Sequence, residues 1–185
     1  MNINKDTGLI DAAEIKISPN HDERPNPEDI SGIVVHNISL PPSEFGATFI
    51  DDLFLNQLNC GLHPYFEQLS GLKVSSHLLI RRNGELVQFV PFHRRAWHAG
   101  ESQWQGRERC NDFTVGIELE GCDDKPFEDV QYQILATVIE SLCQTYPELN
   151  FQRIAGHEHI APGRKTDPGA FFEWDYLKQL LDNRA

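Results

Sequence analysis

Thr114-Val115-Gly116-Ile117-Glu118-Leu119-Glu120 is the stretch on which the reading of this 185-residue chain turns. Apolar residues alternate along it, which predicts a strand with Val115, Ile117 and Leu119 on one face and Glu118 and Glu120 on the other. Beyond a polar break, Val130, Ile134, Leu135, Val138, Ile139, Leu142 and Cys143 recur at helical spacing. They predict a long amphipathic helix. Glu128 and Asp129 sit at its start, where acidic groups complement the helix dipole, and Pro147 stops it.

On the N-terminal side, His77-Leu78-Leu79-Ile80 and Leu86-Val87-Gln88-Phe89-Val90 flank Asn83-Gly84. Asn-Gly between two such runs is a strong hairpin signal. Further upstream, Gly32-Ile33-Val34-Val35 reads as a buried strand that ends in His36-Asn37. Pro41-Pro42-Ser43 breaks the chain, and Phe49, Ile50, Leu53 and Phe54 then predict a short helix. Between the hairpin and the opening stretch lie residues 93–113, polar and containing Trp97, His98 and Trp104. A loop of that length in a compact domain is usually functional or disordered, and its tryptophans argue for function. Downstream, residues 150–155 are expected to form a short strand, and Trp174, Leu177, Leu180 and Leu181 a last helix. Residues 1–30 are polar and rich in Pro, Asn and Asp. They read as a loosely structured N-terminal arm leading into a single domain over residues 31–185.

The net charge of −12 opposes a general nucleic-acid footprint, which needs a basic face. No apolar run is long enough to span a membrane, and residues 1–25 show no secretory h-region. A cytoplasmic protein is therefore expected, with no membrane partner. Cys60, Cys110, Cys122 and Cys143 match no zinc spacing and are expected to be free thiols.

Candidate chemistry gathers in Gly156-His157-Glu158-His159-Ile160-Ala161-Pro162-Gly163-Arg164-Lys165-Thr166-Asp167-Pro168-Gly169. This is a loop by composition, and loops on a rigid scaffold carry function. His157 and Asp167 are ligand types that zinc accepts, but a catalytic zinc needs three protein ligands and an open position. His36, at the exit of its own strand, can join them only if the fold brings it near. His159 competes with His157, although alternation would turn it the other way. Glu118 and Glu120 compete as the general base that a zinc hydrolase requires. An ordinary polar strand face is the plainer reading of both. His77 reads as structural, and His98 as either a groove wall or plain packing.

Val34-Val35-His36-Asn37, Ala96-Trp97-His98-Ala99-Gly100, Gly116-Ile117-Glu118-Leu119-Glu120-Gly121, the run Arg107 to Phe113, and Gly156-His157 through Asp167-Pro168-Gly169 occur in one order. In that order the chain resembles the zinc N-acetylmuramoyl-L-alanine amidases, over residues 30–181, nearly its whole length. Within the family it is most similar to the cytoplasmic members acting on 1,6-anhydro-muropeptides. The resemblance implies an α/β fold in one domain: a mixed central β-sheet flanked by α-helices, related to phage T7 lysozyme and the peptidoglycan recognition proteins, with zinc in a cleft above the sheet. It implies Zn2+ bound by His36, His157 and Asp167, with Glu118 and Lys165 catalytic. It implies a substrate-binding role for Arg109, with Trp97, Arg164 and Asn37 as groove residues. Lys73 stands where close relatives carry arginine, keeping the charge but losing the planar fork that grips a carboxylate. The expected partner is a small muropeptide, with no protein partner implied. Two alternatives stay open: a phage-type lytic amidase acting on intact peptidoglycan, and a non-catalytic peptidoglycan-binding module. The filled ligand positions count against the module.

Overall fold

The structure is a computed structural model and describes residues 1–184. In chain order it contains β1 (Ile3–Asn4), β2 (Leu9–Ile10), β3 (Glu14–Ile15), β4 (His21–Glu23), β5 (Gly32–Ile38) and α1 (Phe49–Phe54). Then come β6 (Leu78–Ile80), β7 (Leu86–Gln88), β8 (Arg94–Ala96), β9 (Gln103–Trp104), β10 (Arg107–Glu108) and β11 (Thr114–Glu120). The chain closes with α2 (Asp129–Thr145), β12 (Ile154–Gly156), α3 (His157–Ile160) and α4 (Trp174–Asp182). Six strands form the central sheet in the order β12-β5-β11-β6-β7-β3. β12, β5, β11 and β6 run parallel to one another, β7 is antiparallel to β6, and β3 is parallel to β7. The expected mixed sheet flanked by helices is what the chain forms.

Ile33 and Val35 of β5 and Val115, Ile117 and Leu119 of β11 point to one side. There they pack on Leu135, Val138, Ile139 and Leu142 of α2 and on Leu177 and Leu181 of α4. The opposite side is also covered. Leu79, Val87 and Phe89 meet Ile50, Leu53 and Phe54 of α1 and Phe66 of the segment beyond it. Val34 meets Ala99, Cys110, Phe113 and Ile160. Sheets built on parallel strands are typically clothed on both faces in this way.

That second cover corrects one expectation. Glu120 is not a solvated strand residue: it is 2% exposed. Its carboxylate accepts from the backbone N–H groups of Gly46, at 2.6 Å, and Arg82, at 3.1 Å. It fastens two loops and is occupied in doing so.

The arm is also different from its composition. Residues 1–30 are not loose: β1 and β2 pair as a hairpin, β3 completes an edge of the central sheet, and β4 pairs with β8. Ile10 and Ile30 are buried, and so are the polar Ser18, Asn20 and Arg24. Arg24 explains how so polar a stretch goes inside. Its guanidinium donates to the carbonyls of Phe92, Asn111, Asp112 and Thr114. A buried polar group is tolerated when its hydrogen bonds are made. Burial draws its pKa down to about 10, so it remains charged at neutral pH.

The hairpin forms as expected. Leu79 pairs with Val87, and Gly84 takes φ +85° in the turn. A Cβ at Gly84 would come within 2.6 Å of Val130, which lies over the turn and is 38% exposed. Val130 is therefore outside the buried face of α2 to which its spacing assigned it. Gln131 anchors the start of α2, donating to the carbonyls of Ile80 and Glu120 at the ends of β6 and β11. The strand expected at 150–155 begins later, at Ile154, after a turn. All four cysteines are free thiols. Among the described residues, no helix is long and apolar enough to cross a membrane.

Candidate metal centre and cleft

Three neighbouring parallel strands deliver the site. In register, Glu118 of β11 lies beside His36 of β5, and Gly156 of β12 lies beside Val35. Their carboxyl ends open on one edge of the sheet, the usual place for ligands in open α/β sheets. His157 follows β12 directly as the first residue of α3. The loop beyond folds back, closed by the Glu158 N–H donating to the Asp167 carbonyl at 2.9 Å. Asn37 steadies the same loop, donating its amide to Pro168 O at 2.9 Å and to Asp123 at 2.6 Å.

His36 Nδ1 lies 2.9 Å from His157 Nδ1, and each lies 3.1 Å from Asp167 Oδ2. Both histidines are buried, and the aspartate side chain is 15% exposed. His157 Nε2 sits 3.0 Å from the carbonyl of Ala99, which can only accept, so Nε2 carries the proton. That placement leaves Nδ1 to face the other two atoms with its lone pair. Burial holds the His36 pKa down at about 4, against the opposing pull of Asp167, so that ring is neutral at physiological pH. Burial raises the Asp167 carboxyl, but the two imidazoles against its oxygen hold it, on balance, below the usual range.

Two ring lone pairs and a carboxylate oxygen within about 3 Å repel one another unless a cation joins them. These three residues form a metal-type cluster whose ligand atoms all lie within 4.8 Å. Tetrahedral zinc, with bonds of about 2.0–2.2 Å, would separate its donors by roughly 3.3–3.6 Å, close to what the chain provides. The donor set fits a divalent metal of zinc's type.

His159 is not part of the cluster. Two residues along a helix turn a side chain roughly 200° away. It accepts from the Gly156 N–H and packs against Trp174. Glu118 is the available carboxyl. It is 9% exposed, and its Oε2 is buried with no hydrogen-bond partner. Burial, then the nearby Asp167 charge, push its pKa well above the ordinary value, with Lys165 opposing. A carboxyl tuned in that direction is a frequent mark of acid–base chemistry.

A cleft of about 810 Å³ opens over this group. His36, Asn37, Lys73, Trp97, Glu118, His157, Arg164, Lys165 and Asp167 all line it. Arg109 does not. It sits 70% exposed beside Asp112, in a neighbouring depression that meets the cleft at Arg164. Arg164 is itself engaged, donating to the carbonyls of Ala99 and Glu101. Sequence reasoning missed the apolar wall of Leu53, Phe54, Tyr65 and Leu69. It also missed Asn111, whose Oδ1 accepts from the backbone N–H groups of His98 and Ala99. The tight run Ala96 to Gly100 was the available signal, since such a turn needs an anchor.

Comparison with known proteins agrees with this fold. Residues 26–170 match the family described as N-acetylmuramoyl-L-alanine amidase. The chain is 54% identical over 168 residues, 91% of each sequence, to the 1,6-anhydro-N-acetylmuramyl-L-alanine amidase AmpD of Escherichia coli. A crystal structure of an AmpD selenomethionine derivative superposes with a TM-score of 0.94 at 51% identity, covering 98% of this chain and 99% of that one. AmiD of Escherichia coli, in complex with the substrate anhydro-N-acetylmuramic acid-L-Ala-D-γ-Glu-L-Lys, superposes with a TM-score of 0.60 at 28% identity. That superposition covers 96% of this chain and 65% of AmiD.

Proposed function

The chain belongs to the N-acetylmuramoyl-L-alanine amidase family, and from that premise we infer that it hydrolyses 1,6-anhydro-muropeptides. The bond cut is the amide between the lactyl group of anhydro-muramic acid and the L-alanine of the stem peptide. The observation that carries the mechanism is the convergence of His36, His157 and Asp167 on one point beneath the cleft, beside the buried carboxyl of Glu118. The specificity is supported by the AmpD and AmiD relatives. The substrates are imported fragments, and the compartment is the cytoplasm.

His36, His157 and Asp167 hold zinc in this reading. Zinc in such a site supplies Lewis acidity toward a carbonyl oxygen and acidifies water. Glu118 takes the proton from the attacking water and returns it to the leaving alanine nitrogen. Its raised pKa suits it to both halves of that transfer. Lys165, on the cleft wall, offers its charge to the oxygen that becomes negative as the carbonyl is attacked. Trp97 and the Asn37 loop border the sugar end. Lys73 meets peptide carboxylates as a point charge. Arg109 serves a longer peptide that crosses the Arg164 ridge.

The test compares kcat/KM for anhydro-muramyl tripeptide, muramyl tripeptide and whole sacculi. A cleft shaped to the bicyclic sugar leaves the extra hydroxyl of the reducing sugar without a partner. Each such group costs roughly 1–3 kcal/mol. The anhydro substrate is therefore expected to be favoured by about tenfold to over a hundredfold, with negligible release from sacculi. Equal rates on all three would exclude the recycling role and favour a lytic one.

A further inference from the structure

The loop that walls the cleft also touches the far nitrogen of each histidine in the metal cluster. His157 Nε2 meets Ala99 O. His36 Nε2 lies 2.9 Å from His98 Nδ1, and His98 Nε2 lies 3.2 Å from the Thr114 hydroxyl. That hydroxyl donates to the Cys110 carbonyl at 2.7 Å. A carbonyl only accepts, so the Thr114 proton is committed there. Thr114 must then accept from His98, which places the His98 proton on Nε2 and leaves Nδ1 as a lone pair. That lone pair accepts from His36 Nε2–H, and the His36 Nδ1 lone pair faces His157 and Asp167. Each link follows from the one before.

The packing holds the chain of bonds in line. A Cβ at Gly116 would approach the His98 ring to 2.4 Å, so the glycine in mid-strand gives that ring its seat on β11. The backbone N–H groups of His98 and Ala99 are held by Asn111. We propose that Thr114, acting through His98, is a positioning residue that sets the tautomer of His36 and so aims its Nδ1 at the metal. The partner of a ligand's outer nitrogen commonly fixes ring orientation and ligand basicity in this way.

The proposal rests on the metal reading above, and its test separates the two. Zinc affinity is measured by competition with a chromophoric chelator for the wild type, Thr114→Val and Thr114→Ser. Long-range 1H–15N spectra report which nitrogens of His36 and His98 carry protons. Thr114→Val keeps the shape and loses the hydroxyl, and is expected to bind zinc about 10- to 100-fold more weakly. Thr114→Ser is expected to restore wild-type affinity and the Nε2–H signal of His36. A purely structural role would lower the melting temperature of Thr114→Val and leave its zinc affinity alone. Equal affinity in all three proteins, or an equal loss in Ser and Val, overturns the relay while the metal site stands. A wild-type chain that binds no zinc sinks the reading beneath it. Should Thr114→Val not fold, wild-type spectra with the His98 proton on Nδ1 also overturn the proposal.

Discussion

His157→Ala should leave the purified chain without stoichiometric zinc and without measurable amidase activity. The substitution removes one of the three proposed ligand atoms and leaves His36 Nδ1 and Asp167 Oδ2 3.1 Å apart. Apparent binding energies for structural zinc in zinc-finger peptides run to about 10–16 kcal/mol, which sets the scale. Losing one donor of three forfeits several of these, or about 10²- to 10⁴-fold in affinity. Zinc is then lost on dialysis, and turnover with it. His159→Ala is the control: that side chain faces away on α3, and its loss should leave both zinc and turnover in place. Elemental analysis with a single-substrate assay decides the matter. An equimolar zinc content in His157→Ala, or its loss in His159→Ala, would show that the wrong histidine has been assigned.

Glu118→Gln should retain zinc and lose about 10²- to 10⁴-fold in kcat, the usual range for a general acid–base group. The same change should stabilise the metal-free protein at neutral pH. Burial raises the Glu118 pKa in the fold above its unfolded value. The native carboxyl therefore holds its proton at pH values where the unfolded one has released it. Stability then falls as pH climbs above the unfolded value, until the native carboxyl ionises in turn. Glutamine titrates at neither step. The melting temperature of the variant should exceed that of the wild type at pH 7–8, with the gap closing below about pH 4. Thermal scans with chelator present at both pH values read this directly. A variant with wild-type turnover would move the acid–base role elsewhere. Glu120 would be a poor second choice, because both its oxygens already hold backbone N–H groups.

Much of the fold was legible because local pattern decided it. The β-branched run before His36, the alternation from Thr114, the Asn83-Gly84 turn and the apolar stripe of α2 each state their element alone. The site was legible only in pieces. His157 and Asp167 share a loop, but His36 joins them through strand order, and no local pattern encodes that β5 lies between β12 and β11. The polar arm misled because Ser18, Asn20 and Arg24 satisfy their hydrogen bonds inward, which composition cannot show. Glu120 misled for the same reason. Val130 has helical spacing yet lies over a glycine turn rather than the core. Arg109, carried by resemblance alone, sits beyond the cleft. Thr114 gave no signal, because a threonine opening a strand is ordinary until the ring beside it is seen.

In the proposed mechanism, cutting an anhydro-muropeptide amide requires a metal held by His36, His157 and Asp167. Protein stripped by chelator and verified metal-free should release no peptide from anhydro-muramyl tripeptide, and one equivalent of zinc per chain should restore full release. Metal-free protein that cleaves the substrate as fast as the zinc-loaded form would exclude a metal-dependent mechanism.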